Sequence, residues 1–413
     1  MSKTFELLQE RGYIYQATHE EQIKKALNGE PITFYLGIDP TADSLHIGHF
    51  FALMMFRYLQ DAGHNGILVI GGATALIGDP SGKSDMRKML SKEEVKHNLE
   101  EVKALAKKIV KTDGDNPAII LDNADWINLY SYVDFMRDIG IHFNVNKMLA
   151  TETYANRLEE GGLTFLEMGY MLMQAFDFTY LNKKYKCKLQ IGGSDQWGNI
   201  VAGVNLGRKL HFQDNEEKEE MFGLTCPLLM TKEGKKMGKT EKGTLWVARE
   251  KTTVFELYQY FYNVNDEDTE TLLRLFTRVP TEKIISLCST DIVSAKKIMA
   301  FEITKLVHGE EEANKVLSAV NSLFGDSMDT NDIPTVKINR DLLNEGINII
   351  ELLTITGFIS SKTEARRMIQ QGGISLFNNR IENIDFAVTS DNIQNDFILL
   401  KRGKKNFIKV VFV

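Results

Sequence analysis

The sequence predicts an α/β fold: a parallel sheet covered on both faces by helices, then a helical region, then a small basic α+β tail. Three observations carry this. Short apolar runs at 32–38, 67–70, 118–121 and 188–192 are strand-length and end at Gly or Asp. Long helical patterns fill the gaps between them, and strands that alternate with helices pair in parallel. Beyond about residue 248 the strand signals fade until the last segments of the chain.

Taken in order, 1–30 reads as helical and amphipathic. Residues 46–62 are apolar nearly all round, the mark of a buried helix. Residues 91–111 are amphipathic, with Val95, Leu99, Val102, Ala106 and Ile109 on one stripe. Ser91 followed by Glu94 predicts a capping box. Residues 252–323 read as several helices broken near Pro280 and Gly309. Residues 325–334 are polar, acidic and nearly free of apolar side chains, which reads as a linker. A compact tail follows from about Gly346 and ends in β-like segments at 397–400 and 407–413. The predicted division is therefore 1–247, 248–324, a linker at 325–345, and 346–413.

The chain has 413 residues, 43% hydrophobic and 25% charged, which suits two or three globular domains. It contains no apolar run near the roughly 20 residues that span a bilayer. Its polar N-terminus lacks the apolar stretch of a signal peptide. Cys187, Cys226 and Cys288 are far apart, without a CxxC pair, so neither a disulfide framework nor a structural zinc site is expected. Cytoplasm is the expected compartment. The formal charge is −7. Residues 346–413 hold nine Lys/Arg and six Asp/Glu, a net of +3, which leaves −10 on the rest. That asymmetry points the tail toward an anionic partner.

Residues 35–49 run from a strand through a turn into a helix. Gly37 ends the strand without a side chain, so a ligand can approach the backbone. Asp39-Pro40 starts the turn, and Asp43 or Ser44 can cap the helix. His46 and His49 lie three apart at its N-terminus, where anions are favoured. Imidazoles there can donate to phosphate oxygens as charge builds in a transition state. The bland alternatives are surface histidines or a metal pair; the latter lacks an evident third ligand. Residues 232–240 form a Gly-containing, lysine-rich loop whose Lys236 and Lys239 suit a departing pyrophosphate. Gly234 and Gly238 give the loop freedom to close over a nucleotide.

Three further segments carry polar groups. Residues 71–83, which include Asp79 and Lys83, follow a strand and are rich in glycine. Tyr170, Gln174 and Asp177 are spaced i, i+4 and i+7, so they share one face of an otherwise apolar helix. Burying three polar groups without partners is costly, and a polar ligand would supply them. Gln190, Gly193, Asp195 and Gln196 lie at a strand end, where α/β folds bind ligands. Taken singly, each could be a turn or a satisfied core polar group.

The residues His46-Ile47-Gly48-His49 are similar to the HIGH signature of class I aminoacyl-tRNA synthetases, which related nucleotidylyltransferases also carry. Lys236-Met237-Gly238-Lys239-Thr240 resembles their KMSKS loop, with Gly and Thr at the serine positions, as tyrosyl enzymes commonly show. Together and in this order, the segments across most of 30–245 resemble the bacterial tyrosyl-tRNA synthetase family. The resemblance implies a Rossmann-like nucleotide-binding domain. It implies that Tyr35 and Asp177 bind the phenolic OH of tyrosine. Tyr170, Asp79 and Gln174 would bind its ammonium, with Gln190 and Gln196 near the amino acid backbone. Gly37, Asp39, Gly193 and Asp195 would lie around ATP, and His46, His49, Lys83, Arg87, Lys236, Lys239 and Thr240 would act on its phosphates. Some relatives carry a small polar residue where this chain has Leu36 and Ala52. A carboxylate that expects a phenol is left unpaired by phenylalanine, and tyrosine-activating enzymes are the known example of this rule.

In the tail, Lys362, Arg366 and Arg367 form one basic helical edge, ended by Gly372. A second cluster is Lys401, Arg402, Lys404 and Lys405. This pattern resembles an S4 RNA-binding domain, which tryptophanyl enzymes generally lack. The family implies ATP with Mg²⁺ as substrate, tRNA as partner, a homodimer, and neither a tightly bound cofactor nor a protein-held metal. The alternatives are a tryptophanyl-tRNA synthetase, a small-molecule nucleotidylyltransferase and a non-catalytic RNA-binding relative.

Overall fold

The computed structural model describes the chain except residues 1–2, 82–88, 215–219, 235–236, 241–242, 324–332, 344–345, 378, 394–395 and 404–405. Two compact units result: 1–251 with 270–289, and 252–269 with 290–413.

In the first unit, α1 (Thr4–Arg11) and α2 (Glu20–Leu27) flank a short strand, β1 (Gln16–Ala17). The stretch read as helical from the sequence thus holds two helices and a strand between them. Gly12 takes a left-handed conformation (φ 88°), closes α1 and frees the chain to pair with the sheet. The sheet continues with β2 (Thr33–Ile38), β3 (Asn65–Ile70), β4 (Ile119–Asp122), β5 (Cys187–Gly193) and β6 (Phe222–Cys226). Its order is β1-β6-β5-β2-β3-β4, parallel apart from β1. The chain winds outward from β2 through β3 to β4, then crosses back to β5 on the other side of β2. The β2/β5 junction is therefore the switch point, and ligands bind such sheets at the C-terminal ends of these strands.

The covering helices follow local chemistry. Helix α3 (Ile47–Asp61) buries Phe50, Phe51, Leu53, Met54, Met55 and Phe56, as expected for an all-round apolar helix. After the single turn α4 (Thr74–Ile77), α5 (Lys92–Ile109) starts at the predicted box, with Ser91 and Glu94 each bonding the other's backbone. Short helices α6 (Ala124–Ile127), α7 (Tyr132–Asp138), α8 (Val145–Leu149) and α9 (Glu152–Glu160) then lead to α10 (Phe165–Tyr185). Thr164 and Glu167 cap α10, and Glu167 also pairs with Arg157 at 2.8 Å, both side chains being about 5% exposed or less. Helix α10 packs along α11 (Trp197–Asp214), and its Phe178 joins Tyr35, Ile67, Val69 and Trp126 in one buried cluster. Short strands β7 (Lys239–Thr240) and β8 (Gly243–Thr244) make a hairpin.

The helical stretch beyond 248 resolves into α12 (Val254–Tyr262), α13 (Asp266–Phe276), α14 (Thr281–Thr290), α15 (Ile292–His308) and α16 (Glu310–Leu323), with breaks at Pro280 and Gly309 as read. In the second unit, α12 packs on α15 and α15 on α16. The first half of the expected linker lies largely outside the described residues. The second half carries β9 (Thr335–Ile338), whose alternating Thr-Val-Lys-Ile sequence buries Ile338 and pairs in parallel with the last strand. The tail sheet thus begins before Gly346. Its other elements are β10 (Ile347–Asn348), α17 (Ile349–Ile355), α18 (Lys362–Gln370), β11 (Ile374–Leu376), β12 (Asn379–Arg380), β13 (Ala387–Val388), β14 (Phe397–Arg402) and β15 (Asn406–Phe412). Their main sheet runs β12-β11-β14-β15-β9.

Candidate active site

The polar groups singled out in the sequence converge on the C-terminal ends of β2 and β5. Tyr35 on β2 stands beside Gln190 on β5, so their side chains share one face of the sheet. Gly37 lies one residue inside the strand rather than at its end, and space stays open where a Cβ would stand. Tyr170, Gln174 and Asp177 lie in a row along one face of α10.

Three atoms in this row and sheet have no partner. Tyr35 Oη, Gln174 Oε1 and Gln190 Oε1 are three of eight buried side-chain polar atoms left unbonded among the described residues. A buried unpaired polar atom costs about 1–3 kcal/mol, so three within one site mark a place where a polar ligand supplies the bonds. Burial pushes the Tyr35 phenol well above its ordinary range, with the Asp177 charge adding to the rise. It therefore stays protonated and able to donate.

Asp177 is 4% exposed and is held by two residues that the sequence did not single out. Asn123 Nδ2 donates to one carboxylate oxygen at 3.0 Å, and Trp126 Nε1 to the other at 2.7 Å. Burial raises Asp177 to about 7, against the pull of these two donors and with help from the charges of Asp39 and Asp122. Two donors leave lone pairs for a further one.

Asp39 was expected near a nucleotide. It also organises the opposite end of the row, accepting from Tyr170 Oη at 2.9 Å and Thr74 Oγ1 at 2.7 Å. Asp79, 6% exposed, accepts from Ser81 N–H at 2.9 Å and Gln196 Nε2 at 2.6 Å. Asn199 donates in turn to Gln196 Oε1 at 3.3 Å. A Cβ at Gly71 would overlap Asp39 and Thr74, and one at Gly193 would overlap Asp195. The glycines of both loops let carboxylates crowd the backbone.

The histidine motif differs from expectation at its cap. His46 itself is the N-cap of α3, not Asp43 or Ser44. Its Nδ1 accepts from Gly48 N–H at 3.1 Å and His49 N–H at 3.2 Å, while His49 Nδ1 accepts from His46 N–H at 3.4 Å. The rings stack at 3.7 Å. An imidazole whose Nδ1 accepts carries its proton on Nε2 when neutral, so both rings are set as Nε2–H donors. Asp43 instead pairs with Lys251 at 2.6 Å, and Ser44 Oγ accepts from Ala248 N–H at 3.1 Å.

The segment after the lysine loop runs alongside the histidine turn. Val247 N–H donates to Leu45 O at 2.8 Å, His46 bridges to Trp246, and Ile47 N–H donates to Leu245 O at 3.3 Å. Gly238, at φ +81°, lies where a Cβ would overlap the Ile47 side chain. Glycine in place of the loop's serine is what permits this approach. Lys83, Arg87 and Lys236 lie outside the described residues, as do the side chains of Lys239 and Thr240.

In the tail, Lys362, Arg366 and Arg367 are exposed along α18. Gly403 N–H donates to Gly373 O at 2.6 Å, which brings the turn after Arg402 beside the end of that helix. Lys401 lies over Phe407 at 5.3 Å. Lys404 and Lys405 lie outside the described residues. Among the described residues there is no cluster of three His, Cys, Asp or Glu that could hold a metal, and no helix long and apolar enough to cross a membrane.

Residues 27–325 match the family "tRNA synthetases class I (W and Y)", and 327–410 match "Tyrosine--tRNA ligase SYY-like C-terminal domain". The chain is 49% identical to a tyrosine–tRNA ligase of Acetivibrio thermocellus, with 100% of both chains covered. It is 48% identical to that of Clostridium tetani, covering 99% of each. Among solved structures, the C-terminally truncated mitochondrial tyrosyl-tRNA synthetase of Aspergillus nidulans aligns at TM-score 0.70 and 29% identity, over 78% of this chain and 95% of that one. The tyrosyl-tRNA synthetase of Archaeoglobus fulgidus complexed with L-tyrosine shares the fold, at TM-score 0.56 and 17% identity, over 76% and 99%.

Proposed function

We propose how this chain works as a member of the class I tRNA synthetase family of tryptophan and tyrosine enzymes, to which it belongs. It is a tyrosine–tRNA ligase. It activates tyrosine with ATP, which enters as its Mg²⁺ complex, and passes the amino acid to the terminal adenosine of its tRNA. The observation that carries the assignment of the pocket is the row of unsatisfied atoms beside Asp177. The substrate phenol donates to Asp177 and accepts from Tyr35. Its ammonium meets Gln174 Oε1, Tyr170 and Asp79, and Gln190 and Gln196 face its backbone. Tyrosine can accept from Tyr35 and donate to the Gln174 and Gln190 oxygens, whereas phenylalanine leaves the phenol end unpaired.

The chemistry needs no protein nucleophile or general base. The tyrosine carboxylate attacks the α-phosphate of ATP in line, forming a mixed anhydride and releasing pyrophosphate. Catalysis is positioning and charge stabilisation. The Nε2–H donors of His46 and His49 act on the phosphates, joined by Lys83, Arg87, Lys236, Lys239 and Thr240. Asp39, Gly37, Gly193 and Asp195 line the nucleotide side. The ribose hydroxyl of tRNA then attacks the acyl carbon and releases AMP.

We assign activation to 1–247, the anticodon side to 248–324 and RNA backbone contacts to the tail, through Lys362, Arg366, Arg367, Lys401, Arg402, Lys404 and Lys405. The enzyme works in the cytoplasm as a homodimer. Large apolar side chains exposed on the first unit support the dimer: Leu129 (82% exposed), Tyr132, Val133, Ile141, Val145 and Phe165. Sedimentation equilibrium tests this, with Ile141→Asp expected to yield monomer. Charging of tRNA with labelled tyrosine tests the function. Charging that saturates with tyrosine and fails with phenylalanine supports it, and no charging would overturn it.

A further inference from the structure

We infer that Asp122 is a positioning residue for tyrosine recognition, acting as the clamp that joins the two loops on which the phenol-binding carboxylate depends. The inference rests on the tyrosine-activating reading and goes beyond it, since nothing in that reading requires Asp122. It closes β4 and is half-buried. One oxygen, Oδ1, accepts from Gly72 N–H at 3.1 Å and from Ala124 N–H at 2.9 Å. The first donor belongs to the glycine loop after β3 and the second to the start of α6. A single carboxylate atom thus ties loop 71–74 to turn 123–126.

Both tied segments carry pocket residues. From the turn, Asn123 and Trp126 donate to the two oxygens of Asp177. From the loop, Thr74 donates to Asp39, which also accepts from Tyr170. Asn123 stitches the same seam again, accepting from Ala73 N–H at 2.9 Å and donating to Thr74 Oγ1 at 2.9 Å. The backbone is shaped for the clamp: a Cβ at Gly72 would stand on the Asp122 carboxylate. Asp122 does not touch the ligand row itself. It fixes the spacing between the donors to Asp177 and the donor to Asp39, and through them the two ends of the tyrosine pocket.

The clamp needs an acceptor oxygen at this reach, not a charge, which sets the test. Pyrophosphate exchange is measured for the full-length enzyme, for Asp122→Ala, for Asp122→Ser, whose shorter side chain cannot span both N–H groups, and for Asp122→Asn, which retains the acceptor. Tyrosine and phenylalanine are each used as substrate, and melting temperature is recorded. The expected result for Ala and Ser is a KM for tyrosine raised about 3- to 10-fold, the loss of one or two hydrogen bonds. Tyrosine-over-phenylalanine preference narrows, while kcat stays within about twofold. Asn is expected to restore the tyrosine KM and the preference. The inference is overturned if folded Ala or Ser variants keep the wild-type tyrosine KM, or if Asn is as impaired as Ala. Should Ala not fold, Ser and Asn carry the same comparison. Failure of the wild-type enzyme to exchange with tyrosine would instead overturn the functional reading, and the clamp with it.

Discussion

Trp126→Phe isolates the support of Asp177, the carboxylate proposed to bind the substrate phenol. Phenylalanine keeps a ring against Tyr180, whose centroid lies 4.6 Å from that of Trp126, but removes the 2.7 Å donor to Asp177. A hydrogen bond to a charged group contributes about 1.5–3 kcal/mol, which is roughly one to two pKa units. Asp177 starts at about 7 because of burial. Losing a donor to the ionised form raises it further, to roughly 8–9 on that conversion. In the proposed binding mode tyrosine donates its phenol to the ionised carboxylate, so affinity should weaken as pH falls through the folded pKa. At pH 8 about nine-tenths of the wild-type carboxylate is ionised, against roughly one-tenth to one-half in the variant. The KM for tyrosine, read by pyrophosphate exchange between pH 6 and 9, should therefore rise roughly two- to tenfold at pH 8. The difference should shrink toward pH 9, and the KM for ATP should not follow it. Superimposable tyrosine KM curves for variant and wild type would refute the coupling of Trp126 to Asp177.

His49→Ala should lower the rate of adenylate formation by on the order of 10² with little loss of tyrosine affinity, read by single-turnover kinetics; a large affinity loss at unchanged rate would oppose a phosphate role. Gly238→Ala forces a side chain into a φ +81° backbone and against Ile47, and should cost about 1–2 kcal/mol of stability from the backbone alone, seen as a melting temperature lowered by a few degrees. Glu167→Ala strands Arg157 in the interior and removes the carboxylate half of the α10 capping box; roughly 3–5 kcal/mol of destabilisation is expected in urea unfolding. The same carboxyl shift has a stability sign. Asp177 binds its proton more tightly when folded, so its contribution favours the fold at acid pH and declines as pH rises from the ordinary carboxylate range through about 7. Asp177→Asn should flatten that slope in melting curves.

Local chemistry made much of the fold legible. The Ser91/Glu94 box, the apolar 46–62 helix and the i, i+4, i+7 row of Tyr170, Gln174 and Asp177 each need only neighbouring residues to be read. Strand β6 was not legible, because its Gly223 and Thr225 resemble a turn. The glycine is there because a Cβ would overlap Ile200 on α11, a contact made only on folding. Strand β9 hid in an acidic stretch, and its partner β15 lies some seventy residues later. Asn123 and Trp126 sit in a turn with no motif of its own, and their role depends on a carboxylate more than fifty residues away. His46 as its own helix cap breaks the usual preference for Ser, Thr, Asp or Asn there. Its imidazole accepts from the helix and so turns the opposite nitrogen into a donor.

The most direct measurement is pyrophosphate exchange with ATP and each of the twenty amino acids in turn. Exchange with tyrosine alone is the predicted result, because in the proposed binding mode tyrosine satisfies Tyr35, Gln174 and Gln190 and donates to Asp177. Exchange with tryptophan or phenylalanine at comparable efficiency would contradict the assignment of that pocket.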